Sequence, residues 1–463
     1  MLVALGFLMI GTFMFLIMTK KLTPVAALII VPTVFGLIAG AGLGLGDMVM
    51  EAITDLAPTA ALLMFAIIYF GIMIDVGLFD PLIRFVLRVF GDDPAKVVVG
   101  TAVLAGAVSL DGDGSTTFIV TTSALLPVYL RMGLSPVVLT CVAGLANGVL
   151  NVVPWGGPTA RAASALGLEP TDIFVPMIPS VLAGLGVVLV FAWLLGLSER
   201  RRLRAAGTSM AAPVAVGAAA RPGGAGAPAG GGSGGAPGVG GSERGMADTA
   251  LDPDRPTLRP RLIWFNLALT AAIMVLLVLE PMPIPTLFMI GCAIALVVNF
   301  RHVSDQLKEL SAHGSSVVSV VAMVMAAGVL TGVLNGTGMV DAMSRWLVGV
   351  IPDAMGPYLA VITGLLSLPG TFFMSNDAFY FGILPVLTET AANYGITPVE
   401  MARASIVGQP VHMQSPLVPA ILLLVSLAKV DLGDHHKKVL WRAAVASLAM
   451  LAVGVLTTVI PLG

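Results

Sequence analysis

Charge is what this sequence has least of. Only 11% of its 463 residues are charged, against roughly 25% in an average soluble domain. So little charge cannot solvate a globular surface, and a soluble fold is excluded. Cysteine is nearly absent too. Cys141 and Cys292 both lie in apolar sequence, with no metal-ligand spacing and no disulfide framework, and read as small packing residues. No basic residue precedes the first apolar run, "MLVALGFLMIGTFMFLIM", and Lys20–Lys21 follow it. A secretory signal has the reverse charge order, so this run is expected to be a permanent membrane helix with its N-terminus outside. The chain also lacks a Gly-x-Ser-x-Gly elbow, a zinc-binding histidine pair and a nucleotide-binding loop, and is expected not to be an enzyme. Nothing in it suggests a nucleic-acid partner.

What remains is apolar. Hydrophobic residues make up 57% of the chain and the mean hydropathy is +0.98. Stretches near 20 residues recur from end to end, each long enough for a bilayer core of about 30 Å. They fall at 2–19, 23–45, 57–79, 97–130, 136–165 and 173–197, then at 261–279, 283–300, 315–340, 355–393, 398–427 and 439–461. Between the two sets, residues 201–260 form a Gly/Ala/Pro-rich linker ("RPGGAGAPAGGGSGGAPGVGG") that is too poor in apolar surface to fold.

The two halves, 1–200 and 261–463, echo each other. "VGLFDPLIRFV" matches "TGMVDAMSRWL" at an offset of 261 (338 less 77), pairing Gly77 with Gly338, Asp80 with Asp341 and Arg84 with Arg345. "LLPV" later matches "ILPV", and Pro154 falls on Pro416. Ordered internal repeats of this kind are characteristic of secondary transporters. Segments 97–130 and 355–393 have polar middles containing Gly or Pro. If each is a re-entrant hairpin, each half crosses the membrane five times, and the odd count inverts the second half. Nearly all of the 24 Lys and Arg residues then collect on the cytoplasmic side, as the positive-inside rule requires. The expected fold is therefore all-α and polytopic: two inverted repeats, each with five transmembrane helices (one broken) and a hairpin, and both termini outside.

Backbone that leaves helical geometry at membrane depth needs partners other than lipid. Four stretches qualify: "SLDGDGSTT" and "LPGTFFMSNDAF" at the hairpin tips, and "NGVLNVVPWGGPTAR" and "VGQPVHMQSPLVP" in the fifth crossing of each half. Asp111 and Asp113 sit within the first tip. Asp-Gly pairs are common turn formers, yet carboxylates between lipid-embedded segments are expensive and mark functional sites. Asp377 stands in the second tip, and His412, which titrates near neutral pH, in the second broken helix. These four are candidates for metal contact or proton coupling. Candidate substrate contacts are Ser115, Thr116, Thr117, Asn147, Asn151, Gly156 and Gly157 in the first half. In the second half they are Ser375, Asn376, Gln409, Gln414 and Ser415. Arg161 and Arg403 lie away from the basic loops, either to neutralise a substrate carboxylate or to make structural ion pairs. His435–His436, beside Lys437–Lys438, reads as a solvated turn.

The stretches "SLDGDGSTTFIVTTSALLPVY", "ANGVLNVVPWGGPTARAA", "SNDAFYFGILPV" and "GQPVHMQSPLVPA" resemble the citrate–divalent metal:proton symporter family (CitMHS), of the ion-transporter superfamily of elevator carriers. The resemblance covers nearly everything but the linker. It implies import of a citrate–metal complex with protons, by a homodimer in the plasma membrane of a bacterium. The metal (Mg²⁺, Ca²⁺ or a ferric ion) is part of the substrate, and no cofactor is permanently bound. Sodium-coupled relatives in the superfamily carry Ser-Asn-Thr at each tip. Here the positions read Gly114–Ser115–Thr116 and Ser375–Asn376–Asp377, a departure that counts against sodium. A tricarboxylate alone would be repelled by paired aspartates, whereas its metal complex accepts their oxygens. Three other readings stay open: a carrier for gluconate, a dicarboxylate or another organic anion; a cation:proton antiporter; and a passive channel. An intramembrane aspartyl protease using Asp111 and Asp377 is disfavoured by the repeat and by the missing sequence context. The linker yields a first prediction. Deleting most of residues 210–250 leaves uptake within about twofold of the parent, since a Gly-rich connector supplies reach and few contacts. A shortened protein that inserts normally but loses most uptake would contradict this.

Overall fold

The computed structural model describes residues 1–463 apart from 20, 91–92, 113, 206–254 and 280, and the described residues contain no strand. The first half runs α1 (Leu2–Met18), α2 (Pro24–Ile38), α3 (Leu45–Asp75), α4 (Asp80–Phe90), α5 (Pro94–Val108), α6 (Gly114–Met132), α7 (Pro136–Leu150), α8 (Gly157–Leu166), α9 (Pro170–Phe174) and α10 (Ile178–Ala205). The second runs α11 (Ile263–Leu279), α12 (Ile284–Asn299), α13 (Val303–Ala312), α14 (Gly314–Gly336), α15 (Met339–Val350), α16 (Leu359–Phe373), α17 (Leu384–Ala392), α18 (Pro398–Ile406), α19 (Gln409–His412), α20 (Pro419–Leu427) and α21 (Leu432–Leu456). Among the described residues, seven helices are long and apolar enough to cross a membrane, and five further apolar helices span 10–17 residues.

Local sequence explains where helices begin. Proline at the first helical position has no N–H to leave orphaned, and α2, α5, α7 and α18 all start this way. Thr23 and Asp93 accept hydrogen bonds from Ala26 and Ala95 as N-caps. Thr397 and Glu400 close a capping box. The chain breaks where expected: between α5 and α6, between α7 and α8, between α16 and α17, and again on either side of α19. Residues Ala378–Ile383, before α17, wind as a π-helix.

Three apolar cores hold the helices together. One unites α5, α6, α7 and α10 with residues of α16 to α21, so the hairpin-like pairs and broken helices of both halves share it. A second joins α3 to α11 and α12 and takes in Val153, Trp155 and Ala160. A third gathers α1, α2, α14 and α15. The described ends of the linker are folded, unlike the flexible segment expected from 201 to 260. α10 continues through Ala205, with Arg200 paired to Asp93 and Arg202 to Glu199. Arg255 is buried and donates to the Asp75 carbonyl at 2.8 Å and to the Asp80 carboxylate at 3.1 Å, capping the C-terminus of α3.

The two broken helices cross at their gaps. Gly148 of α7 lies against Pro410 of α19 so closely that a Cβ there would stand 2.8 Å from the Pro410 Cα. The neighbour is backbone and cannot swing aside. Gly148→Val should therefore lower stability by about 1–3 kcal/mol, the usual range for overpacking. The readout is the Tm of purified protein in detergent. Gly106→Ala, whose Cβ would find Leu150 at an ordinary 3.5 Å, should leave Tm unchanged or raise it.

Candidate functional site

The site forms where the breaks open onto α3 and α14. A cavity of about 420 Å³ lies there, within the usual size range for small-molecule sites. Its walls are the first tip (Asp111, Gly112), the first turns of α6 (Ser115, Thr116) and α8 (Gly157, Arg161), one side of α3, and the serine-bearing start of α14. Three helices thus begin at one cavity, and helix N-termini favour anions. Among the described residues, Asp111 and Arg161 are the charged groups lining it.

The first tip is set by its own residues. Gly112 has φ +80°, a left-handed turn that a side chain would strain, and a Cβ there would also press on Trp155 at 2.9 Å. The Trp155 indole N–H donates to the Leu110 carbonyl at 2.8 Å, satisfying one backbone acceptor at the break. The same ring stacks on Phe70 of α3 with centroids 4.9 Å apart. Behind the tip, Asn147 donates to the Ser109 hydroxyl at 3.0 Å, which also lies 3.2 Å from the Thr117 hydroxyl. Asp111 is 6% exposed, while Asp113 lies outside the described residues.

Asp377 in the second tip is 7% exposed and takes the Arg161 Nε–H at 2.5 Å. A second Arg161 N–H donates to the Gly157 carbonyl at 3.0 Å. One guanidinium therefore joins the first broken helix to the second tip while lining the cavity. A chain of amides runs alongside: Asn151 donates to Gln409 at 3.4 Å, and Gln409 donates to Asn376 at 3.2 Å and to the Tyr380 hydroxyl at 2.9 Å. His412 Nδ1 is 2.6 Å from the Thr371 carbonyl, and Ser415 donates to the Phe372 carbonyl at 2.6 Å. Ser375 accepts from the Ala378 N–H at 3.2 Å. Gly156 serves as the N-cap of α8.

Of the residues singled out in the sequence, the structure brings Asp111, Ser115, Thr116 and Gly157 to the cavity wall together with Arg161. Asp377 is reached through that arginine. Thr117, Asn147, Asn151, Gln409, His412 and Ser415 instead satisfy broken backbone and one another behind it. Gln414 stands further back, donating to the Gly144 carbonyl at 3.0 Å. Arg403 donates to the Asp172 carbonyl at 2.7 Å and takes no part. The reading of His435–His436 as a solvated turn is wrong. His435 is fully buried between Thr140 and the Gln414 side chain, and His436 contacts the Gln414 carbonyl at 2.7 Å. Ser315, Ser316 and Ser319 also line the cavity and are absent from the residues singled out in the sequence, although three serines at that spacing share one helix face.

These features define a multi-pass membrane transporter fold. The chain aligns with the crystal structure of the YdaH transporter of Alcanivorax borkumensis over 92% of its length and 90% of that chain. The TM-score is 0.56 at 15% identity, a likeness of fold. The chain belongs to the citrate transporter family, whose model (CitMHS) matches residues 13–408. It is 47% identical to a citrate transporter of Bacillus subtilis over 462 residues, covering 99% of this chain and 100% of that one. It is 45% identical to the Mg²⁺/citrate complex secondary transporter of the same organism over 457 residues, 98% of each. The protein is a transporter and not an enzyme.

The ion pair can be weighed by a double-mutant cycle. Removing one partner of a largely buried pair leaves an uncompensated charge. Arg161→Ala and Asp377→Ala should each lower Tm, and the double variant should recover part of the loss. The expected coupling is about 1–3 kcal/mol, and strictly additive losses would show that the contact contributes nothing.

Proposed function

We propose that the protein imports citrate as a complex with a divalent metal, in symport with protons, across a bacterial plasma membrane. The observation that carries this reading is the mixed charge of the cavity. Three helix N-termini and Arg161 suit carboxylates, while Asp111 suits a cation. A citrate trianion holding a divalent ion has roughly one net negative charge and offers both kinds of partner. Citrate alone would meet Asp111 as a repulsive neighbour. The names of the two Bacillus subtilis relatives support the same substrate.

The Arg161–Asp377 pair supplies a way to couple protons. A substrate carboxylate arriving at Arg161 competes with Asp377 for the guanidinium. We assign the coupled proton to Asp377, the carboxylate that gives up its counter-ion when the anion binds. Binding of the anion and binding of the proton then favour each other. Transport of the loaded site follows from two inverted repeats, with hairpin tips and broken helices moving together against α3 and α14 in a homodimer. The matching succession of helices in the two halves supports that arrangement.

Labelled-citrate uptake into proteoliposomes, with metals added one at a time and an imposed pH gradient, tests the reading. Accumulation should require both a divalent ion and an inward proton gradient, and a chelator should abolish it. Asp111→Asn should change the order of metal preference. Asp377→Asn should keep citrate exchange but lose most dependence on the gradient. Uptake indifferent to chelation would instead favour a carrier of free organic anions.

A further inference from the structure

Away from the tips and broken helices, three ionisable side chains meet inside the protein. Asp75 is the last residue of α3, Glu309 lies in α13, and His313 is the junction between α13 and α14. Their exposures are 6%, 5% and 0%. His313 Nε2 is 3.3 Å from a carboxylate oxygen of Asp75, and one ligand atom from each residue lies within 4.8 Å of the others. Glu309 and His313 are four apart and share one helical face.

The polar atoms here are left in deficit. Among the described residues, the ring nitrogens of His313 have no hydrogen bond beyond the 3.3 Å contact of Nε2 with Asp75, and one oxygen each of Asp75 and Glu309 has none. Unmade hydrogen bonds on buried, charge-bearing groups are rare and call for a missing partner. Space has been made for the ring: Gly71 faces His313, and a Cβ there would stand 2.5 Å from it.

We propose that Asp75, Glu309 and His313 form a binding site for one divalent transition-metal ion, separate from the ion carried with citrate. One imidazole with two carboxylates suits Zn²⁺, Mn²⁺ or Co²⁺ better than Mg²⁺, which prefers oxygen alone and keeps its waters. Tetrahedral bonds near 2.1 Å set ligand atoms roughly 3.4 Å apart, close to the 3.3 Å already between Asp75 and His313. Gly71, Ile74 and Ala312, neighbours of the ligands, line the citrate cavity. A loaded site therefore ties α3 to the α13–α14 junction at the wall of the transport pathway.

The test needs neither citrate nor transport, so it stands or falls apart from the proposed function. Purified protein carrying Asp111→Asn, which removes the cavity carboxylate, is stripped with chelator and titrated with Mn²⁺ and Zn²⁺ by calorimetry and by Mn²⁺ paramagnetic resonance. One saturable equivalent is expected. Asp75→Asn, Glu309→Gln and His313→Ala should each weaken it at least tenfold, while Asp305→Asn, an exposed residue of α13, should not. His313→Asp guards against simple misfolding: it replaces nitrogen with oxygen, so binding should persist with preference moved from Zn²⁺ toward Mn²⁺. Absence of saturable binding in the starting protein overturns the proposal. So does full binding in all three ligand variants.

Discussion

Backbone amides and carbonyls freed by a broken helix cannot be left facing hydrocarbon, and most of this architecture answers that constraint. Each break is closed by groups from elsewhere in the chain. Trp155 closes on Leu110, Thr159 on Val152, Ser415 on Phe372 and His412 on Thr371. The Gln414–Gly144 contact joins the two halves, as does the packing of Gly148 on Pro410. The shared core of α5 to α7 with α16 to α21 follows from this mutual dependence.

The same constraint explains why the cavity sits where it does. A break frees N–H groups as well as carbonyls, and the N–H groups gather at the starts of α6 and α8. Where those starts meet α14, they line an open space. An anion is the complementary occupant, and Asp111 limits which anions are welcome.

The breaks themselves were legible in the sequence, because Gly, Pro and carboxylates together rarely interrupt an apolar run at membrane depth unless the interruption has a use. Asp111, Ser115, Thr116 and Gly157 could be named for that reason. Pairings across long separations were not legible. Nothing local links Arg161 to Asp377, which lie 216 residues apart. His435 misled because "HHKK" has the composition of a solvated turn, whereas helix periodicity turns its first histidine inward and its lysines out. Serines 315, 316 and 319 give little signal, since single hydroxyls can bond their own helix backbone and so carry little information in a membrane segment. Asp75, Glu309 and His313 become a cluster only when α3 packs against the α13–α14 junction.

Trp155 is placed to report on the molecule optically. Its indole edge is fixed to the first tip and its face lies against Phe70 of α3, in a second core. The ring thus straddles the boundary between the tip and the helices beside it, at 4% exposure. The other four tryptophans of the chain, Trp193, Trp264, Trp346 and Trp441, are 46–79% exposed on the apolar exterior, within reach of quenchers dissolved in lipid. Quenching those four leaves an emission signal from one native ring at the site, and any change in the stacking of tip against α3 alters its colour and yield without a label being attached.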